Sequence, residues 1–124
     1  GWAPGIEATL AEHVDPTRAA RLRLRYANAF PAYYRGRYTP GEAALAVLRL
    51  SELGGTEGRG VRLYRNEGEG PHSLRLKIFN RAGRVPLSSA VPVLENFGFR
   101  VLEEVPARLE DDLGSIHDFL LEVD

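Results

Sequence analysis

The sequence predicts an α+β fold, and two observations carry that prediction. Apolar residues recur at spacings of three and four up to Leu53, then alternate strictly from Val61 onward. Clusters of Gly, Pro, Asn and Asp divide the second half into four strands with one short helix among them. The 124 residues fall within the commonest single-domain size of about 100–150. With 44% hydrophobic and 27% charged residues, the composition excludes wholesale disorder, a collagen-like repeat and a coiled-coil rod.

The elements follow in order. Ile6 to Val14 is a short, weakly helical amphipathic stretch. Asp15-Pro16 reads as an N-cap followed by the first helical position. From there Ala19, Leu22, Tyr26, Phe30 and Tyr33 mark one helical face, and Pro31 should end or kink the helix. Thr39-Pro40-Gly41-Glu42 is a capping box opening a helix through Ala44, Val47, Leu48 and Leu50 to Leu53. Gly54-Gly55 should stop it in the left-handed conformation. Strands 61–66 and 73–79 form a hairpin across the turn cluster 67–71, and residues 80–84 form another turn. A short helix capped near Ser88 or Ser89, with Pro92 in its first turn, should stop at Gly98. Strands 99–105 and 115–123 are joined by the acidic loop 110–114. Residues 1–38 then read as a helical arm, and residues 39–124 as one α-β-β-α-β-β unit.

The link from strand 73–79 through the helix to strand 99–105 is a crossover, which leaves those two strands parallel. If the last strand lies between them, the order is 61–66, 73–79, 115–123, 99–105, fully antiparallel. That is a ferredoxin-like sheet with two helices on one face, circularly permuted. Alternation then turns Leu63, Leu74, Leu76, Ile78, Val101, Phe119, Leu121 and Val123 toward the helices. It turns Arg62, Tyr64, Arg75, Lys77, Phe79, Leu102, Glu104, Asp118, Leu120 and Glu122 outward. The outward face is basic on one hairpin and acidic on the other, so it complements itself under a two-fold rotation. Arg62, Tyr64, Arg75, Lys77, Phe79, Glu104, Leu120 and Glu122 are therefore interface candidates for an oligomer. The alternative is that cross-strand ion pairs satisfy this face, or that the arm covers it.

Recognisable chemistry is absent. There is no cysteine, hence no disulfide, thiolate metal site or cysteine nucleophile, which matches a reducing, cytoplasmic setting. His13, His72 and His117 have no second histidine at helical spacing, so no metal site is expected. No phosphate-binding loop, nucleophile elbow or dinucleotide fingerprint follows a strand. His117 and Asp118 are consecutive strand residues and point to opposite faces, so they cannot form a dyad. The chain by itself is not read as an enzyme. Between Pro16 and Gly41 lie six arginines and no acid, but the net charge is −1 and the acidic strands would repel phosphate. Nucleic acid is not an expected partner. No apolar run approaches the roughly 18–20 residues of a membrane span. Fifteen of the sixteen basic residues are Arg and only Lys77 is Lys, a bias read as genomic. The absence of methionine reads as a piece of a longer protein.

Three stretches carry a family resemblance: FPAYYRGRYTPGEAALAVLRLSEL (30–53), VPLSSAVPVLENFGFRVLEEVP (85–106) and IHDFLLE (116–122). Together, and in this order, they resemble the ACT-like segments of the large bacterial NAD-specific glutamate dehydrogenases. One departure is Ala46, where relatives are expected to carry an acid. The resemblance implies an ACT-like domain from the N-terminal regulatory region of an oxidoreductase that uses NAD. It implies no catalytic residue here and no cofactor in this segment. The implied partners are the remaining domains, a second copy of the enzyme and a free amino-acid effector. A free amino acid needs a carboxylate donor and an ammonium acceptor, so Asn96, Gly98 and Asp118 are the effector-binding candidates. The competing reading is a structural oligomerisation module without a ligand.

Overall fold

A computed structural model describes residues 1–54, 58–81 and 90–124. Four helices come first: α1 (Trp2–Leu10), α2 (Pro16–Tyr26), α3 (Ala32–Arg37) and α4 (Pro40–Glu52). The hairpin β1 (Arg59–Tyr64) and β2 (Ser73–Asn80) follows, then α5 (Ala90–Asn96), β3 (Arg100–Arg108) and β4 (Ser115–Glu122). A 3-10 turn, Ala27–Ala29, ends α2, and Pro31 caps α3, so the proline breaks the long helical stripe as its chemistry requires. Asp15 accepts the Arg18 N–H at 2.9 Å to cap α2. Thr39 and Glu42 exchange both bonds of the capping box at 3.1 Å each.

The sheet has the order β1-β2-β4-β3, antiparallel throughout, so the last strand does lie between β2 and β3, the condition on which the ferredoxin-like order rested. The helices are arranged differently from the expectation. Phe79, Ala107 and Ile116 on one face join a core with the buried residues of α1 to α4. Ile78, Phe119 and Leu121 on the other face pack against Ala90, Val91 and Leu94 of α5. The helices α4 and α5 therefore lie on opposite sides of the sheet, not on one face. The handedness rule governs α5, which connects two strands of the sheet. It is silent on α4, which precedes β1 and follows its packing with α1 instead.

Two smaller expectations also change. Leu53 ends α4 in an extended conformation, and Gly54 is not left-handed. The register shifts between Val101 and Glu103, which inserts a bulge at Leu102. That bulge reverses parity along the rest of β3. The expected helix caps Ser88 and Ser89, Gly55 and most of the turn 80–84 lie outside the described residues.

Candidate functional site

The polar face of β1, β2 and β4 is buried beneath α3 and the start of α4. Register places Arg62, Lys77, Asp118 and Val105 in one row across the sheet, and Tyr64, Arg75, Leu120 and Glu103 in the next. Lys77 is 1% exposed and Asp118 2%. The Asp118 carboxylate accepts the Tyr38 hydroxyl at 2.8 Å and the Tyr64 hydroxyl at 2.8 Å. The Lys77 Nζ lies 5.0 Å from the centroids of both the Tyr38 and the Tyr64 ring, a cation sandwiched by two aromatic faces. Glu42 Oε2 stands 3.9 Å from the same ammonium.

Arg75 extends the network. It donates to Glu69 at 2.7 Å through its terminal nitrogen and reaches Glu103 at 3.4 Å, while Asp118 Oδ2 is 3.9 Å away. Glu103 in turn pairs with Arg37, the last residue of α3. Tyr33 of α3 donates its hydroxyl to the Pro106 carbonyl of β3 at 2.9 Å. An aromatic row carries the contact back to the first helix. Tyr38 stacks on Tyr34 at 4.3 Å, Tyr34 meets Phe30 at 4.8 Å, and Trp2 meets Phe30 edge-on at 5.7 Å.

The electrostatics follow from burial and neighbours. Burial pushes the Lys77 amine below the usual lysine value, and Asp118 and Glu42 oppose that shift. Burial, then the Asp118 hydrogen bond, raises both Tyr38 and Tyr64, so these hydroxyls stay protonated donors. The Glu69 hydrogen bond raises Arg75 and the same bond lowers Glu69. A buried amine with a lowered pKa is a nucleophile or base by type, but two rings and a carboxylate seal this one from solvent. The arrangement fastens the helical segment to the sheet.

Of the interface candidates, Arg75, Lys77 and Phe79 are thus buried within the chain at 7%, 1% and 1% exposure. The arm covers this face, the alternative that the residue pattern left open. The bulge takes Glu104 to the other side, opposite Phe119 and 3.6 Å from His117, and Glu103 takes its expected place beside Arg75. Arg62 stays half-buried over the Tyr64 ring at 5.1 Å, Leu120 is half-buried, and Glu122 lies 3.6 Å from Arg100 on the adjoining strand. Asn96 and Gly98 are exposed at the end of α5, where Gly98 adopts φ +92°. Asp118 points to the opposite face, so the structure does not bring the three effector candidates together. The one trace of this buried cluster in the sequence is Lys77, the lone lysine among sixteen basic residues, which composition alone reads as a genomic bias.

His117 lies on the α5 face with its Nδ1 without a hydrogen-bond partner. Burial lowers its pKa, and Glu104 works against that shift. The unfolded chain therefore binds more protons than the folded one as pH falls through about 6.5. Stability is complete above that pH and declines below it, down to the lowered folded value. The substitution His117→Gln is expected to flatten this decline in urea unfolding between pH 7 and 5.

The family model for the glutamate dehydrogenase ACT3 domain matches residues 59–124, from the first residue of β1 to the C-terminus. The chain belongs to this family. A second model, glutamate dehydrogenase helical motif 2, matches residues 9–53, which places α2 to α4 in that motif and the sheet in the ACT3 domain. The Lys77–Asp118 cluster therefore joins the two matched regions: Tyr38 and Glu42 come from the motif, the other groups from the ACT3 sheet. The chain is similar to an NAD-specific glutamate dehydrogenase of Halomonas elongata, 36% identical over 98% of the chain. It is also similar to one of Pseudomonas aeruginosa, 29% identical over 95% of the chain. It spans 8% of the length of each of these relatives. No helix among the described residues is long and apolar enough to cross a membrane.

Proposed function

We propose that this chain is a non-catalytic regulatory domain of a large NAD-specific glutamate dehydrogenase, and that it works through contacts on the α5 side of its sheet. NAD and the glutamate chemistry then belong to other domains of the longer protein. The supporting observation is an uncovered strip of β1. Val61 and Leu63 share the face that α5 packs on, because they pair with Ile78 and Leu76, yet they are 56% and 62% exposed. A ferredoxin-like sheet covers this area with its second helix, but α4 sits on the other side. A neighbouring domain or a second subunit supplies the cover on this reading. A free amino-acid effector would be sensed near Asn96 and Gly98, at the end of the helix on the same side.

The test uses the full-length enzyme with Leu63→Glu. Subunit mass is measured by sedimentation, and glutamate oxidation with and without a panel of free amino acids. A loss of effector response with the basal rate retained is the expected result. A changed mass with an unchanged response favours the structural module. No change in either quantity overturns both readings.

A further inference from the structure

A pocket of about 310 Å³ opens at the seam between the helical motif and the ACT3 sheet. Its four charged lining residues come from three places in the fold. Arg18 and Arg25 project from α2, Arg81 follows β2, and Asp112 belongs to the β3–β4 loop; Leu22 and Ser51 complete the wall. All four charged groups are solvent-exposed. Among the described residues none of the three guanidiniums lies within salt-bridge distance of a carboxylate. Arg81 does donate to the Leu53 carbonyl at 2.9 Å, and Arg25 lies over the Tyr26 ring, so two of them are held in place. Among the described residues Arg23, Arg37, Arg75 and Arg100 do stand within salt-bridge distance of an acid.

Three like charges lining one concavity favour an anion that joins them. Guanidinium forks match carboxylate oxygens two by two. Three positive charges against the single negative charge of Asp112 leave a surplus of two, which calls for a dianion. Arginines from two separate elements suit two separated carboxylates better than one compact group. The volume lies at the small end of ligand sites. We propose that this pocket binds a small dicarboxylate. Bound there, the ligand bridges α2 to the end of β2 and the β3–β4 loop and steadies the two matched regions against each other. This site is separate from Asn96 and Gly98 and does not rest on the regulatory reading.

The experiment is an amide NMR titration of the 124-residue chain with succinate, acetate and inorganic phosphate at constant ionic strength. Saturable shifts at Leu22, Ser51 and Leu113 are expected with succinate, about tenfold tighter than with acetate or phosphate. Substituting Arg18→Gln should weaken succinate about fivefold, and Asp112→Asn should tighten it about threefold by removing repulsion. Asn tolerates the left-handed backbone at that position, φ 54°, so the second variant keeps the loop. Acetate binding as tightly as succinate, phosphate binding more tightly, shifts that never saturate, or indifference to both variants would overturn the proposal. Shifts produced by free amino acids at residues 96–99 instead would leave the regulatory reading standing while this inference fell.

Discussion

Replacing Asp118 with alanine is expected to destabilise the chain by about 3–5 kcal/mol, because it removes a buried carboxylate that stands 3.9 Å from the buried Arg75 and whose charge supports the Lys77 ammonium. The Lys77 side chain, 2% exposed between two rings, then keeps only Glu42 at 3.9 Å to balance its charge. The hydroxyls of Tyr38 and Tyr64 lose their acceptor in the same step, which adds a desolvation cost of about 1–3 kcal/mol per orphaned group where water cannot enter. Urea unfolding measures the total. Asp118→Asn should lose less, since its carbonyl oxygen still accepts from a tyrosine. A pH signature separates lost charge pairing from lost packing. Without Asp118 the folded-state pKa of Lys77 falls further, so the unfolded chain holds more protons between that value and about 10.4. Stability of Asp118→Ala should therefore recover part of its loss as pH rises from 8 toward 10. A loss under 1 kcal/mol, or no alkaline recovery, would show that this cluster does not hold the helical motif to the sheet.

Gly114→Ala is the second large effect, about 3 kcal/mol or more, from backbone strain and a backbone collision together. Gly114 has φ +126°, outside what a side chain permits. An added Cβ would stand 2.5 Å from the Asn80 carbonyl oxygen and 3.0 Å from a Leu50 methyl. Neither side can yield cheaply. Asn80 pairs with Ser115 in the sheet, and Leu50 is buried in the helical core. Gly36→Ala is the control: it lies in α3 with nothing within 4 Å of the added carbon, and should be neutral or stabilising by about 0.4–1 kcal/mol. Thermal unfolding of the two variants side by side checks the contrast. Similar midpoints would mean that the β3–β4 loop relaxes around the new methyl.

Much of the fold was legible because its signals are local. Asp15 and Thr39 cap helices through bonds spanning three residues, and the alternation of β2 and β4 names their faces. The crossover rule left β2 and β3 parallel, with room for one antiparallel strand between them; the observed pairing put β4 there. The buried site was not legible in the same way. Arg75, Lys77 and Asp118 are polar residues at alternate positions, the pattern of a strand facing water. Their burial depends on Tyr38 and Glu42, which are distant in sequence and come from the other matched region.

The amino-acid order alone determined the α+β class, the starts of α2 and α4 and the family resemblance, since each rests on short-range spacing, while the place of β4 in the sheet came from the observed pairing. Only the tertiary structure decided which side of the sheet α4 takes. An amphipathic helix ahead of the first strand packs on either face with equal local propensity. What settled it was long-range. The Trp2, Phe30, Tyr34 and Tyr38 rings and the Tyr–Asp118 bonds hold the helical motif on the polar face, and a bulge at Leu102 brings Glu103 to Arg37. That choice buries the lysine, leaves Val61 and Leu63 uncovered, and brings three arginines together around one pocket.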